Sequence, residues 1–226
     1  MNLNDCLVII PARKNSKRIK GKNLRSLNGK PLIVHSIEYA SKFVDKNKIW
    51  VNSDDEKIID LASNLGVSVY KRSDELALDE TSTNDVIIDF SKFLFKNNIS
   101  FKFLITLQPT NPIRSENLLL ESYNYISKNK VKSLMSVSIL HKKFGRVSNS
   151  KYLPMNYKIG QRHQDLEDVY FENGLIYICS REAIEHNKNY ITKDVYPFVT
   201  DEIGSYVDID YEEDLKMAEI ILNHYL

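Results

Sequence analysis

The sequence has few cysteines and no long hydrophobic run, and each shortage excludes a class of protein. Only Cys6 and Cys179 occur among 226 residues, both in apolar runs, which favours buried free thiols over a disulfide. No apolar run approaches the length that spans a bilayer, and the first residues lack the apolar core of a signal peptide. We therefore expect a cytoplasmic protein that does not enter a membrane.

An excess of charge of either sign is also missing. The chain carries 31 basic and 30 acidic residues, so its net charge is +1. Proteins that coat nucleic acid or anionic membranes usually have a basic bias over the whole chain, so the balance argues against both partners. The length, with 42% apolar residues and no linker, repeat or low-complexity tract, predicts one globular domain over residues 1–226.

Against this neutral background, the first forty residues hold a local concentration of positive charge. The apolar run from Cys6 to Ile10 predicts a buried strand. Between Asp5 and Glu38 there is no acidic residue, but there are eight Lys or Arg residues. A cationic loop at the carboxyl end of a first strand is where open α/β sheets bind anionic ligands. We therefore predict a site for a phosphorylated small molecule.

Strand-like and helix-like segments alternate through the first half of the chain. Pro31 opens the first helical pattern, Ser53 or Asp54 can cap a second helix that Gly66 ends, and Ser115 starts a later helix. This alternation predicts a Rossmann-like α/β fold, with a mainly parallel sheet and helices on both faces.

The second half is less regular. Residues 142–168 are polar and poor in helix signals, and residues 169–179 read as a strand interrupted at Asn173-Gly174. Residues 186–200 are aromatic with weak periodicity, which fits a dimer-exchange arm and a surface flap equally well. Tyr206 to Ile209 is predicted as the last strand, before a closing helix.

The basic loop, residues 13–23, has side chains suited to a triphosphate. Arg13 can fork onto phosphate oxygens, Lys17 and Lys22 supply point charges, and Ser16 adds a neutral donor. The loop is neither a Walker motif nor a G-x-G-x-x-G fingerprint, because lysine and asparagine occupy positions that need glycine there. The alternative is a solvated basic loop with no ligand.

Asp208 and Asp210 form an acidic pair at a spacing of two residues. On a strand, this spacing directs both carboxylates to one side, within reach of a single cation. Such hard oxygen ligands suit Mg²⁺, which bridges to substrate phosphates. Alternatively, Asp210 only caps the helix that starts near Tyr211. The pair is more informative beside the basic loop, because phosphoryl chemistry needs both an anion site and a metal.

Two further polar segments are candidates for binding. Gln108 and Arg114 lie in a proline-stiffened turn after the strongest apolar strand, although an ordinary strand-to-helix turn has the same features. Arg162 and Gln164 precede the Glu172-Asn173-Gly174 segment in a polar stretch that, on spacing alone, favours loop surface. No Ser-His-Asp or Cys-His arrangement is evident.

Together these segments resemble the nucleotide-sugar cytidylyltransferases, most closely the CMP-sialic acid synthetases (acylneuraminate cytidylyltransferases). The similar stretches span residues 8–219. In chain order they are Ile10 to Arg13 with Ser16-Lys17 and Lys22-Asn23-Leu24, Leu107 to Arg114, Arg162 to Asp165, Tyr170 to Tyr177, and Ser205 to Asp210 with Asp214-Leu215 and Ala218-Glu219.

The resemblance implies a homodimer with an exchanged arm at about 186–200, and Mg²⁺-dependent transfer of CMP from CTP to a nine-carbon 2-keto sugar acid. It also implies residue roles. By this resemblance, the triphosphate is bound by Arg13, Ser16, Lys17 and Lys22, the cytidine by Asn23, Arg72 and Thr83, and the metal by Asp208 and Asp210. The sugar acid is bound by Gln108, Arg162, Gln164, Asn173 and Tyr177. Arg146 or Arg162 binds its carboxylate, and Tyr190 reaches the sugar site of the neighbouring subunit. Arg13, Lys22 and Asp210 are the expected catalytic residues.

Three alternatives remain open at this stage. The acceptor could be another acid, such as legionaminate, pseudaminate or 3-deoxy-octulosonate. The chain could instead be a non-catalytic nucleotide-sugar-binding protein, against which the intact Lys22, Asp208 and Asp210 argue. RNA binding through the basic loop is the third, and the loop lacks the stacking aromatic residues that such binding uses.

Overall fold

The computed structural model describes residues 3–224, which form an α/β fold. Its strands are β1 Cys6–Pro11, β2 Ser26–Leu27, β3 Lys30–Pro31, β4 Ile49–Ser53, β5 Ser68–Lys71, β6 Phe103–Thr106, β7 Ser133–Ile139, β8 Gly145–Ser148, β9 Lys151–Pro154, β10 Tyr170–Ser180 and β11 Tyr196–Val199. Its α-helices are α1 Leu32–Ser41, α2 Glu56–Asn64, α3 Thr83–Lys96, α4 Leu118–Asn129, α5 Arg181–Asn187 and α6 Glu212–His224. Within residues 3–224, no helix combines the length and the apolar character needed to cross a membrane.

Seven strands form one sheet in the order β11-β7-β10-β6-β1-β4-β5. β1 pairs in parallel with β4 and with β6, β4 pairs in parallel with β5, and β11 pairs in parallel with β7. Of the described strands in this sheet, β10 alone runs antiparallel to its neighbours, β6 and β7. The predicted mainly parallel sheet is therefore confirmed.

Helices cover both faces of this sheet, as β1 illustrates. Cys6, Val8 and Ile10 belong to a buried cluster with apolar residues of α1, α2 and α4. Leu7 and Ile9 belong to a second cluster, with apolar residues of α3 and α5. A continuous apolar run is what a strand buried on both faces requires.

The strand order reverses beside β1. From β1 the chain moves outward to β4 and β5, then returns to add β6 on the other side of β1. Ligands of open α/β sheets bind in the crevice that such a reversal leaves at the carboxyl ends of the strands. Because β1 and β6 are parallel, the loops that follow them both open into this crevice.

The segment before α6 corrects one prediction. Tyr206 to Ile209 is not a strand: Ile203–Tyr206 is a 3₁₀ helix, and residues 207–210 join no sheet. The Ile209 N–H donates to the carbonyl of Thr110 at 2.8 Å, and Asn111 Nδ2 donates to the carbonyl of Val207 at 3.1 Å. The segment therefore forms hydrogen bonds with the loop after β6 and not with a neighbouring strand.

A third buried cluster ties this segment to the basic loop. It combines apolar residues of the loop region, the segment and α6: Ile19, Leu27, Leu32, Ile113, Val207, Ile209, Leu215, Ala218 and Ile221. Since Val207 and Ile209 point into the cluster, the alternation along the segment leaves Asp208 and Asp210 on its polar side.

Part of the segment 186–200 lies on the chain's own sheet, and the dimer-exchange arm expected there stays a prediction. Tyr196–Val199 is β11, a strand paired with β7, and Tyr190 is buried with its ring 5.7 Å from that of Tyr177. A separate two-stranded hairpin, β8–β9, was not predicted from the sequence. Its turn places Asn149 and Ser150 at positive φ.

Two helix starts also differ from the predictions. Asp55, rather than Ser53 or Asp54, caps α2, because its carboxylate accepts the N–H of Lys57 at 3.0 Å. Ser115 lies three residues before α4, and its N–H donates to a carboxylate oxygen of Glu202. Pro31 at the start of α1 and Gly66, with φ +79° after α2, agree with the predictions.

Candidate active site

A cavity of about 380 Å³ opens at the carboxyl ends of β1 and β6, and we call it the first cavity. Many predicted site residues line it: Arg13, Ser16, Lys17, Lys22, Asn23, Arg72, Thr83, Gln108 and Asp210. Arg18, Asp79 and Thr81 line it as well, although the sequence had given them no role. Five cations and two carboxylates therefore face one space, which suits a polyanion.

The basic loop is held in shape by its own backbone. Gly21 adopts a left-handed conformation, with φ +64°, that starts a 3₁₀ turn over Lys22–Leu24. The side chain of Asn23 is buried, and its Nδ2 donates to the carbonyl of Arg13 at 3.0 Å. Asn23 therefore fixes the two ends of the loop relative to each other, in addition to lining the cavity.

Lys22 and Asp210 meet in the first cavity. Lys22 Nζ lies 3.0 Å from Asp210 Oδ1 and also donates to the carbonyl of Ile209 at 2.8 Å. Arg18 forms an ion pair with the other carboxylate oxygen of Asp210. Burial would raise the pKa of Asp210, but the bonds and charges of Lys22 and Arg18 outweigh it and lower that pKa.

A second carboxylate, Asp79, pairs with the other side of the loop. Its Oδ1 lies 2.7 Å from Arg13 Nη1, and its Oδ2 lies 2.9 Å from Lys17 Nζ. The bond from Lys17 is the main cause that lowers the pKa of Asp79, and the bond and charge of Arg13 add to it, whereas burial acts in the opposite direction. Asp79 is a single acidic residue in a polar loop and does not form a spaced pair with another acid, so the sequence alone did not identify it as a site residue.

Arg72 forms part of the cavity wall at the end of β5. Its guanidinium is buried and donates to Asn52 through Nε, at 2.7 Å from Oδ1, and through Nη2, at 3.3 Å from the carbonyl oxygen. Burial lowers the pKa of Arg72 to about 10, so the side chain stays cationic at neutral pH. Because hydrogen bonds hold this buried cation in place, it can bind an anionic ligand without changing its own conformation.

Arg114 supports the loop after β6 from behind. The buried guanidinium donates to the carbonyls of Leu175 and Gln108, each at 2.7 Å, and to Ser36 Oγ at 3.1 Å. These bonds join the Gln108 backbone to β10. Arg114 lines neither cavity, so its observed role is to position Gln108.

A second cavity, of about 350 Å³, adjoins the first through Gln108, which lines both. Its other lining residues are Asn111, Phe171, Glu172, Asn173, Gly174, Tyr177, Ser205, Tyr206 and Asp208. This lining is polar and includes aromatic rings, but among residues 3–224 it contains no lysine or arginine.

The amide of Asn173 is largely engaged by the protein itself. Its Nδ2 donates to Ser138 Oγ at 2.9 Å and to Thr200 Oγ1 at 2.8 Å, and its Oδ1 accepts from Ser136 Oγ at 2.5 Å. These bonds fill the interruption of β10 that the sequence predicted at Asn173-Gly174, where the pairing register shifts between Glu172 and Tyr177.

The acidic pair faces both cavities. Asp210 lines the first and Asp208 the second, so the two carboxylates stand where the cavities adjoin. Water reaches Asp208, yet the protein around it removes part of its hydration and raises its pKa, and the charge of Asp210 raises it further. A cation bound by both carboxylates would offset the repulsion between their charges.

The donor set of this pair fits a hard divalent cation. The described residues include no cluster of three or more His, Cys, Asp or Glu side chains that could hold a metal by themselves. Two carboxylates suit Mg²⁺ in particular, because that ion keeps several waters and takes further ligands from substrate phosphates.

Four predicted residues lie outside both cavities. Arg146 is exposed on the β8–β9 hairpin, and Arg162 forms a two-bond ion pair with Asp165 at 2.8 and 2.9 Å. Gln164 lies in the same 3₁₀ turn, and Tyr190 is packed in the core. Within this single chain, Arg146, Arg162 and Gln164 lie in the hairpin and the turn of residues 140–168 and line neither cavity, while Tyr190 packs behind Tyr177, which lines the second cavity.

Comparison with known proteins adds independent information. A family model described as cytidylyltransferase matches residues 7–226. A CMP-N,N'-diacetyllegionaminic acid synthase of Legionella pneumophila is 35% identical over 228 residues, covering 96% of this chain and 95% of the relative. An N-acylneuraminate cytidylyltransferase of Streptococcus agalactiae is 32% identical over 215 residues, covering 92% of this chain and 51% of the relative. The chain thus spans about half the length of the first group of curated relatives it matches.

A solved structure supports the fold. The structure of a CMP:2-keto-3-deoxy-manno-octonic acid synthetase complexed with CTP matches with a TM-score of 0.73, covering 99% of this chain and all of the other at 17% identity. At that identity the likeness concerns the fold alone. The family match over nearly the whole chain is the stronger finding, and it shows that the chain belongs to the cytidylyltransferase family.

Proposed function

We propose that this protein transfers CMP from CTP to the anomeric hydroxyl of a sialic acid or a related nine-carbon 2-keto sugar acid, releasing pyrophosphate. The observation that supports this most is the meeting of Lys22 and Asp210 in a cationic cavity that adjoins a second, polar cavity. Such an arrangement provides one space for a nucleoside triphosphate and another for its acceptor.

In this proposal the first cavity binds CTP. Arg13, Lys17 and Lys22 bind the triphosphate oxygens, Ser16 adds a neutral donor, and Arg18 contributes a further cation. Charge-assisted bonds of this kind are the strongest that a protein can offer an anion. The cytidine lies toward Arg72, Asn23 and Thr83, which line the remainder of the cavity.

Asp208 and Asp210 would hold Mg²⁺ between the cavities. When bound there, the ion would neutralise charge on the α-phosphate and favour ionisation of the attacking hydroxyl. The chain's own contribution is to place the two carboxylates along the cavities and to pair each carboxylate oxygen of Asp210 with a cation, Lys22 or Arg18. Lys22 and Arg13 would then offset charge that develops on phosphate oxygens during transfer.

The second cavity would bind the sugar acid. Gln108, Asn173 and Tyr177 line it, and Gln108 also faces the nucleotide space, so the two substrates would meet beside that side chain. Orientation of two bound reactants can account for a large part of the rate. The name of the legionaminic acid relative, which matches this chain over nearly its whole length, makes legionaminate the first alternative acceptor.

A homodimer would complete the sugar-acid site. The second cavity contains Glu172 and Asp208 but no cation from the described chain, whereas Arg146 and Arg162 lie in the segment 140–168. That segment also exposes Val147, Met155 and Ile159 to solvent. We propose that it contacts a second copy of this chain, where an arginine meets the sugar carboxylate. The molar mass in solution, measured by light scattering, tests the dimer.

The proposed reaction is attack of the sugar hydroxyl on the α-phosphorus of CTP, with pyrophosphate as leaving group. The test is pyrophosphate release by the full chain with CTP, Mg²⁺ and a panel of sialate, legionaminate, pseudaminate and 3-deoxy-octulosonate. Release that requires both CTP and one acid supports the proposal. Nucleotide binding without release on any acid would favour a non-catalytic nucleotide-sugar-binding protein instead.

A further inference from the structure

Four cations of the basic loop are paired with carboxylates of the chain. Asp210 forms ion pairs with Arg18 and Lys22, and Asp79 forms ion pairs with Arg13 and Lys17. The proposed metal-binding role accounts for Asp210 at this position. It does not account for Asp79, which has no other function in the site described above.

Asp79 reaches the loop from a distant part of the chain that also lines the first cavity. It lies between β5 and α3, and its bond to Arg13 joins residues 66 apart in sequence. Thr81 and Thr83, which follow closely in the sequence, line the cavity with it. The residues of both ion pairs therefore line the first cavity, while their side chains remain accessible to solvent.

The geometry of these pairs is that of a bound anion. One carboxylate oxygen meets a guanidinium nitrogen at 2.7 Å, and the other meets an ammonium nitrogen at 2.9 Å. Arginine and lysine offer the same donors to a phosphate group. A phosphate on Arg13 and Lys17 and the Asp79 carboxylate in its present position cannot use the same donors at once.

We propose that Asp79 is an internal competitor of polyphosphate, which holds Arg13 and Lys17 until an anionic ligand replaces it. The identification of the ligand as the triphosphate of CTP rests on the proposed function, whereas the competition concerns any phosphate chain. Asp79 thereby weakens ligand binding and couples it to release of the loop between β5 and α3.

Inorganic triphosphate in metal-free buffer is the probe, with binding to the full chain measured by calorimetry. Asp79→Asn removes the competing charge and keeps the side-chain size. Glu80→Gln is the matched control, because it removes the same charge one residue away at an exposed side chain that lies outside the cavity lining. Asp79→Ala serves as a second variant, and a thermal melt of each variant verifies that it is folded.

Asp79→Asn and Asp79→Ala should bind triphosphate about threefold to tenfold more tightly than wild type in 0.05 M salt, as expected for releasing two exposed ion pairs. The gain should shrink in 0.5 M salt, where screening is stronger. Glu80→Gln should change affinity by less than about twofold. Unchanged or weaker binding by both Asp79 variants overturns the proposal, as does an equal gain in Glu80→Gln.

These outcomes are separate from those of the proposed function. If wild type releases no pyrophosphate from CTP with any acid, the cytidylyl-transfer proposal fails. The proposal that Asp79 competes with polyphosphate is tested by triphosphate affinity alone. Conversely, full turnover by wild type with no gain in either Asp79 variant overturns only the competition.

Discussion

Lys22 Nζ lies 3.0 Å from Asp210 Oδ1, although the two residues are 188 positions apart in the sequence. The contact exists because Val207 and Ile209 are buried in one cluster with Ile19, which fixes the segment before α6 against the basic loop. Apolar burial on one side of that segment thus determines the position of the carboxylates on the other. A cation and a carboxylate held in this way can serve a phosphate and its metal together.

Replacing Asp210 should abolish catalysis while leaving the fold. Asp210→Asn removes the charge that we propose for the metal and keeps the side-chain size. We expect turnover to fall by about 100-fold or more, comparable with the loss of other groups that stabilise transition-state charge. Pyrophosphate release is the measurement. Glu213→Gln, three residues further along and exposed, is the control and should retain near-normal turnover.

Asp208 and Asp210 should affect stability in opposite directions at pH 7 in metal-free buffer. The raised pKa of Asp208 means that its ionised form is disfavoured in the folded protein, so Asp208→Asn should maintain or raise the melting temperature. The lowered pKa of Asp210 means that its ionised form stabilises the fold, an effect fully present above the ordinary carboxyl pKa.

Asp210→Asn should therefore lower the melting temperature at pH 7. Its deficit against wild type should disappear as the pH falls through the lowered pKa of Asp210, where wild type also becomes protonated. Thermal melts at a series of pH values measure both variants. A larger loss of stability in Asp208→Asn than in Asp210→Asn would contradict the electrostatic description of the pair.

Gly174 should tolerate no side chain. Its φ is +73°, and a Cβ atom there would overlap the side-chain amide of Asn111, which donates to the carbonyls of Asn173 and Val207. Gly29 is the control, since its φ is +79° and a Cβ atom would meet nothing within 4 Å. Both alanine variants incur about 1–2 kcal/mol for the left-handed backbone.

Gly174→Ala should lose about 1–3 kcal/mol more than Gly29→Ala, because only Gly174 is overpacked. Urea unfolding measures the difference in the free energy of unfolding. Equal losses in the two variants would mean that the contact between β10 and the loop after β6 does not constrain the second cavity.

Local sequence patterns predicted the first half of the fold well. The apolar run at Cys6 to Ile10, the helix start at Pro31 and the helix end at Gly66 each have a physical cause within a few residues. The position of the basic loop followed from the same patterns, since the carboxyl end of a first strand in such a sheet is a binding edge.

Features that depend on distant contacts were less predictable. The segment at Val207 to Asp210 has the alternation of a strand but bonds to the loop after β6, so alternation alone gave the wrong element. The β8–β9 hairpin turns at Asn149-Ser150, which lacks the glycine that usually marks a two-residue turn. Asp79 became a candidate only when folding placed it opposite Arg13.

The most direct test of the account compares Lys22→Met with Lys20→Met in CTP binding, measured by calorimetry. Both substitutions remove one lysine from the same loop, but Lys22 lines the first cavity and Lys20, which is exposed, does not. We predict that Lys22→Met binds CTP at least about tenfold more weakly than wild type, through loss of a charge-assisted bond, and that Lys20→Met binds almost normally. Equal affinities of the two variants would contradict the assignment of the first cavity as the nucleotide site.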